Sequence, residues 1–320
     1  MSAVVVFIIF AICLVIAIPI SISLGIVAVL PGAFDASFTA SAGYVIRSMV
    51  GGIDSFPLLA VPMFVLAGIL MAHGKISEKL FDVFVYFLGN KRAGIPCAVI
   101  ITCLFYGAIS GSAPATVAAV GSMTIPLLIE LGYEKDFSTA IVAVAGGLGV
   151  IIPPSIPFIM YAMATGESVS DLFLAGIVPG MMISALLIFY AYYYCRRHGE
   201  DREKIQAKMD QLKTKGFVNI LKESIWALLS PVIVLGCIYS GVASPTEAAV
   251  ISVFYSLFVS LFIYKSIKVK QIWGIMVEAM KTYAPILFIL ATSTAFSRVL
   301  TLMQVPQDVS AWTVSYTHLR

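Results

Sequence analysis

Charge is what this sequence has least of. Only 12% of its 320 residues are Lys, Arg, Asp or Glu, about half the usual share for a soluble domain. A compact water-soluble fold must cover its surface with polar groups, and these are too few. The shortage excludes an ordinary soluble enzyme, a disordered chain and a nucleic-acid-binding protein. Histidine is scarcer still, with three in the chain (His73, His198, His318) and none deep in an apolar run. No paired carboxylates share a helix face in such a run either. A membrane-embedded enzyme needs clusters of these groups for metal or acid–base chemistry, so that class falls away. No G-x-x-x-x-G-K-[ST] run occurs, so ATP hydrolysis has no phosphate loop to work with. The five cysteines (Cys13, Cys97, Cys103, Cys195, Cys237) lie in or at the ends of apolar runs. Their number is odd and their spacing suits neither a metal nor a disulfide framework, so they read as small packing residues.

What is present is apolar surface. Hydrophobic residues make up 60% of the chain, and the mean hydropathy is +1.00. Lipid is the solvent that tolerates such a surface, so the fold class is an all-α polytopic membrane protein. Runs long enough to span are Ala3–Val29, Phe56–Ala72, Leu172–Cys195, Ser224–Ser240, Ala248–Tyr264 and Tyr283–Met303. The N-terminal run lacks a basic n-region and a clear cleavage site, so it reads as a first membrane helix and not a removable signal. Segment 75–90 is amphipathic: Ile76, Leu80, Val83, Phe84 and Phe87 oppose Lys75, Glu78, Lys79 and Asp82, the pattern of an interfacial arm.

The basic residues fall on one side. Segment 74–95 holds Lys75, Lys79, Lys91 and Arg92. Segment 196–223 holds Arg196, Arg197, Arg202, Lys204, Lys208, Lys213, Lys215 and Lys222, and segment 265–281 holds Lys265, Lys268, Lys270 and Lys281. With Lys135 these are 17 of the 20 basic residues, and the positive-inside rule puts them in the cytoplasm. Segments 165–171, 241–247 and 304–312 carry only Glu167, Asp171, Glu247 and Asp308 and face the other side. The N-terminus comes out cytoplasmic if Ala3–Val29 crosses once, a condition that Pro19 and Pro31 weaken.

Two interruptions carry the chemistry. Within Ile95–Glu130, apolar arms 95–109 and 117–129 flank Ser110-Gly111-Ser112-Ala113-Pro114-Ala115-Thr116. The arms are short for a crossing, and non-helical backbone at membrane depth survives only where it is buried in protein or lines a cavity. This reads as a re-entrant hairpin from the cytoplasm; two short tilted helices with a small-residue packing face are the alternative. Both put the two ends on the same side. Next, Gly146-Gly147-Leu148-Gly149-Val150-Ile151-Ile152-Pro153-Pro154-Ser155-Ile156-Pro157 separates half-helices at roughly 137–148 and 157–164. Prolines remove donors and leave carbonyls free. A discontinuous helix of this kind points to a transport site whose carbonyls coordinate Na⁺ and whose half-helix N-termini face anions. With no carboxylate nearby, a hard monovalent ion held by backbone oxygens and hydroxyls fits better than Ca²⁺. A proline kink without a ligand is the plainer alternative.

The run GAISGSAPATVAAVGSMTIP, the GY at 132–133, GGLGVIIPPSIPFIMYA, LFLAGIVPG at 172–180, DSFPLLAVPMFVLAGILM at 54–71 and YSGVASPTEAAVISVFY at 239–255 together resemble the large membrane subunit of tripartite ATP-independent periplasmic (TRAP) transporters, the DctM type. The resemblance runs to about residue 312. It implies an elevator-type, Na⁺-coupled importer of organic anions in the bacterial inner membrane. Its fold would have two inverted repeats, each with a re-entrant helical hairpin and a discontinuous helix. The implied partners are a small membrane subunit (DctQ type), a periplasmic solute-binding protein (DctP type) and the lipid bilayer. No cofactor is implied beyond Na⁺ as coupling ion. Carried over residue by residue, Ser110, Gly111, Ser112 and Thr116 match the hairpin tip. Gly146, Gly147, Gly149, Ile152, Pro153, Pro154 and Ser155 match the discontinuous helix, with Na⁺ at Ser110, Ser112, Gly149, Ile152 and Pro154. A stand-alone ion-coupled anion transporter that needs no binding protein is the competing function.

The expected organisation is scaffold helices and amphipathic arm (1–94), half of a transport domain (95–165), a span with a cytoplasmic basic loop (166–223), the start of a second repeat (224–312) and an atypical tail (313–320). The family's second hairpin and second discontinuous helix would follow residue 312, so a truncated chain or foreign tail is expected. Elsewhere, Arg298 near the outer end of an apolar run reads as snorkelling, with an anion contact as its rival. Glu247 reads as a first-turn acid after the Ser244 cap. Asp54 reads as a helix start, His73 as interfacial, and Trp226, Trp273 and Trp312 as an aromatic belt.

Overall fold

The computed structural model describes residues 2–35, 37–214 and 216–317, the side chains of Phe217 and of 312–317 excepted. Lys215, the Trp312 ring and residues 318–320 of the atypical tail therefore lie outside the described residues. Every regular element among the described residues is helical. The chain divides into two units, residues 57–280 and a smaller one of residues 1–56 with 281–320.

The smaller unit begins with α1 (Ala3–Val15), α2 (Ile20–Phe34) and α3 (Ala42–Ile53). The expected single span Ala3–Val29 is thus two helices of 13 and 15 residues, each shorter than the ~20 needed to cross. Pro19 is the cause: the residue before a proline is pushed out of the helical region, and Ala17 takes φ of 63°. Pro31, in contrast, is accommodated inside α2. The core of this unit is Val6, Leu24, Val27, Val45, Phe296 and Val299 with small alanines. Asp54 closes α3, its N–H bonding Val50 O at 3.1 Å, and also stands two residues before the helical stretch that starts at Phe56, as its helix-start reading expected.

The larger unit follows. A short 3-10 turn, Phe56–Leu59, leads into α4 (Ala60–His73), then α5 (Ile76–Leu88), α6 (Gly94–Ser110), α7 (Ala113–Glu130) and α8 (Lys135–Gly146). After the break come α9 (Ile156–Thr165), α10 (Val169–His198), α11 (Arg202–Thr214), α12 (Phe217–Tyr239) and α13 (Pro245–Phe258), the last running on through a π turn. Helix α14 (Val269–Leu302) then carries the chain out of this unit, and α15 (Val305–Thr317) follows it. The core gathers Met71, Leu80, Ile95, Ile100, Tyr106, Leu128, Ile141 and Leu148. Among the described residues, six stretches are long and apolar enough to cross a membrane: Phe56–His73, Ala113–Glu130, Val169–His198, Val218–Tyr239, Pro245–Ile263 and Val269–Leu302.

Local chemistry fixes several ends. Ser244 and Glu247 form a reciprocal capping box at the start of α13, with Pro245 in the first turn, which is the structural role read for Glu247. His73 ends α4 and meets Glu278 at 2.9 Å. Trp273 and Arg298 are exposed and Trp226 is just so.

Two helix-to-helix joints are built alike. At the α4–α5 joint, Gly74 N–H bonds Leu70 O, Lys75 N–H bonds Ala72 O and Lys79 N–H bonds Lys75 O. At the α14–α15 joint, Met303 N–H bonds Val299 O, Gln304 N–H bonds Thr301 O and Asp308 N–H bonds Gln304 O. Each turns on one left-handed residue, Lys75 at φ 60° and Gln304 at φ 58°.

Candidate ion and substrate site

Helices α6 and α7 are 17 and 18 residues long. They are longer than the sequence arms, so length alone does not separate a re-entrant pair from a crossing one. The chain reverses between them in two residues. Gly111 takes φ of 62°, a left-handed conformation natural to glycine. Ser112 then caps α7 by accepting from Ala115 N–H at 3.5 Å, and Pro114 sits in the first turn, where no N–H is missed. The break after α8 uses the same chemistry. A tighter 3-10 turn, Gly147–Val150, ends the regular helix. Ser155 accepts from Phe158 N–H at 3.4 Å to restart it as α9, again with a proline in the first turn.

The hairpin tip holds three oxygens in a triangle. Thr116 Oγ1 donates to Ser112 O at 2.8 Å, Ser110 Oγ lies 3.1 Å from Thr116 Oγ1, and Ser110 Oγ reaches Ser112 O at 3.4 Å. Ser110 and Thr116 are fully buried. Ser112 O also accepts Thr116 N–H at 3.0 Å. One carbonyl therefore serves up to three donors, more than its two lone pairs accommodate well. A cation of Na⁺ or Ca²⁺ size binds oxygens at about 2.3–2.6 Å, which puts neighbouring oxygens about 3–3.5 Å apart. Two edges of the triangle, at 3.1 and 3.4 Å, have that spacing, and the third, at 2.8 Å, is held shorter by the hydrogen bond from Thr116 Oγ1 to Ser112 O. If the two hydroxyl hydrogens turn outward, their lone pairs and the carbonyl form one face of such a shell.

The break lies directly on this face. A Cβ added at Gly149 would meet Thr116 Oγ1 and, at 3.0 Å, Ser112 O. A Cβ at Gly111 would meet Pro154 O at 2.9 Å, and Gly111 O accepts Ile156 N–H at 3.2 Å. Ser110, Gly111, Ser112, Thr116, Gly149 and Pro154 are thus brought together. The remaining expected residues stand apart from the triangle. Gly146 rests on Val117 of α7, and nothing lies within 4 Å of a Cβ at Gly147. Ile152 packs its side chain toward Gly180 of α10, leaving only its backbone for a ligand. Pro153 is buried and precedes Pro154 through a cis bond. The Ser155 hydroxyl donates to Val150 O at 2.6 Å and so closes the break upon itself. Two helix N-termini, those of α7 and α9, begin at this spot, and their partial positive charge favours anions beside the oxygen cluster.

Several supporting residues gave no signal of this role in the sequence. A Cβ at Gly107 would lie 2.5 Å from Gly149 Cα, so this glycine lets α6 touch the break. Tyr106, fully buried, donates to Gly68 O at 2.7 Å, and Gly68 itself lies against Ser110. On α10, Gly176 makes room for Ile151 O and Gly180 for Ile152. Glycines four apart in an apolar span were the available hint.

Comparisons with known proteins agree with one another. The family described as the tripartite ATP-independent periplasmic transporter, DctM component, matches residues 7–318. The isethionate TRAP transporter permease protein DctMQ of Oleidesulfovibrio alaskensis is 40% identical over 301 residues, 94% of this chain and 46% of that protein. The C4-dicarboxylate TRAP transporter large permease protein DctM of Pseudomonas aeruginosa is 38% identical over 259 residues, 81% of this chain and 59% of its own length. Its Rhodobacter capsulatus namesake is 32% identical over 329 residues, 98% of this chain and 73% of that protein. The chain thus spans about half the length of the first two relatives.

Proposed function

The chain belongs to the TRAP transporter family as its DctM component, the large permease, and from that membership we propose that it imports an organic anion, a carboxylate, by coupling to Na⁺. It is a multi-pass protein of the bacterial inner membrane, in a family of transporters and not of enzymes. The observation that carries the ion coupling is the buried oxygen triangle of Ser110, Ser112 and Thr116 under Gly149. Backbone oxygens of Gly149 and Pro154, the two residues of the break that lie against the hairpin tip, would complete the shell. The N-termini of α7 and α9 would face the carboxylate.

The working unit in this reading includes a small DctQ-type membrane subunit and a periplasmic DctP-type binding protein that delivers the anion. Relatives named for isethionate and for C4-dicarboxylate transport are named as parts of tripartite systems, which favours this over a stand-alone carrier. The mechanism is an elevator built from inverted repeats. The matched α4–α5 and α14–α15 joints support a repeated design: the first follows a helix running toward the basic, cytoplasmic side and the second one running away from it. The test is uptake into proteoliposomes containing the permease with its small subunit, supplied with loaded binding protein. Uptake should fall to background when K⁺ replaces Na⁺; uptake unchanged by that exchange would overturn the coupling.

A further inference from the structure

The basic connection after α10 is not a loose tether. Glu200 is a carboxylate with a side chain only 2% exposed. Its Oε1 accepts from Tyr133 OH at 2.7 Å, and Ala93 N–H bonds both its oxygens, at 3.1 and 3.2 Å. Arg202 adds an ion pair at 3.1 Å and reaches Asn90 O with its other nitrogen at 3.3 Å. Ala93 immediately precedes α6, and Tyr133 lies three residues past the end of α7. One carboxylate therefore grips both feet of the hairpin. Burial, and then the carboxylate beside it, push the Tyr133 phenol up, so it remains a donor.

Beyond Glu200 the chain forms α11, whose start is capped by Asp201 accepting Lys204 N–H at 3.2 Å. Ile205, Met209 and Leu212, spaced i, i+4, i+7, are buried in the core of the larger unit. Met209 lies over Gly89, at the end of α5, where any Cβ would collide with its sulfur. Leu212 and Lys208 line a cavity of about 320 Å³ whose other walls include Phe81 and Asp82 of α5, Ile95 of α6 and Met123 of α7. The segment thus touches the amphipathic arm and the hairpin at once. Its two ends carry backbone that favours glycine, Gly199 at φ 81° and Gly216 at φ 76°.

We propose that segment 200–214 is a cytoplasmic strap that fastens the arm α5 to the base of the hairpin, with Glu200 as its buckle and Gly199 and Gly216 as its hinges. Three donor groups on one buried carboxylate make the buckle a positioning device, for the chain holds its arms at the tip through hydroxyls and at the base through Glu200. Any displacement of the hairpin along α5 requires the strap to let go. That last step rests on the transport reading; the strap itself does not.

Limited trypsin digestion of the purified protein in nanodiscs tests the buckle, because Lys204 and Lys208 lie on the strap. Glu200→Ala should speed cleavage there at least tenfold, and Glu200→Gln, which keeps one acceptor, should fall between it and wild type. Cleavage of Glu200→Ala at the wild-type rate would overturn the proposal. If Lys79 and Lys91 were cut equally fast, the variant would be globally loosened, and a second measurement then decides. Gly89→Cys with Met209→Cys, in a background lacking the five native cysteines, should form a reducible bridge that slows uptake in proteoliposomes at least tenfold, with recovery on reduction. Bridged protein that transports normally would overturn release of the strap. Absence of uptake before bridging would count against the transport function and not against the strap, whose cleavage rates stand apart.

Discussion

Gly149 is the residue on which the candidate site turns, because it has no side chain. Its Cα sits where the oxygen triangle opens, so a methyl there would press on Thr116 Oγ1 and on Ser112 O. On its other side α6 approaches so closely that a Cβ at Gly107 would stand 2.5 Å from the Gly149 Cα, so the backbone has little room to give. Overpacking of this kind costs about 1–3 kcal/mol. Gly149→Ala should therefore raise the Na⁺ concentration for half-maximal uptake at least tenfold while the protein still folds, as read by uptake titrations and a thermal melt. Thr116→Val should do the same by removing one oxygen, and Thr116→Ser, which restores the hydroxyl, should recover most of the affinity. Recovery by serine separates a ligand from a packing role. At this scale the sequence is informative only in part. Ser110, Ser112 and Thr116 announce themselves, since hydroxyls between Gly and Pro in an apolar run have no packing reason to be there. Gly107, Tyr106 and Glu200 do not, since a single glycine, tyrosine or loop glutamate carries no local mark of the distant segment it will meet.

At the scale of elements, structure is legible in the sequence where the chemistry is local. Helix starts at Ser112, Ser155 and Ser244 follow from a hydroxyl cap and an early proline. It is less legible where charge or apolar length masks a pattern. The many charges of segment 202–214 suggest a basic loop, yet Ile205, Met209 and Leu212 give it a helix's apolar face. The N-terminal run is long enough for one span, yet the Ala17–Pro19 sequence divides it. The two left-handed joints offer a test of repeated architecture. Non-glycine residues in that conformation cost roughly 1–2 kcal/mol. Lys75→Gly and Gln304→Gly should both leave the melting temperature unchanged or slightly raised. The β-branched variants Lys75→Val and Gln304→Val should lower it by a similar amount each, about 1–2 kcal/mol in stability. A response at one joint alone would show that the two do not share a design.

At the scale of the whole molecule, charge and helix length make one topology. Helix α14 has 34 residues, about 51 Å at 1.5 Å per residue, against a hydrocarbon core of about 30 Å. The excess belongs at its beginning, where Lys270 and Lys281 lie, so its first turns stand in the cytoplasmic interface. Helix α10, with 30 residues, places its excess at the other end, at Arg196, Arg197 and His198. By the positive-inside rule the basic turns of both helices belong in the cytoplasm, so α10 should end there and α14 should start there. Between them α12 and α13 must cross once each. Single cysteines in a cysteine-free background should then react with an impermeant thiol reagent by side. Glu167→Cys and Val242→Cys, the latter at a site 79% exposed, should label in intact spheroplasts. Lys268→Cys should label only in inverted vesicles. Labelling of Val242→Cys and Lys268→Cys from the same side would mean that α13 does not cross, and the positions of all later segments would have to be reversed.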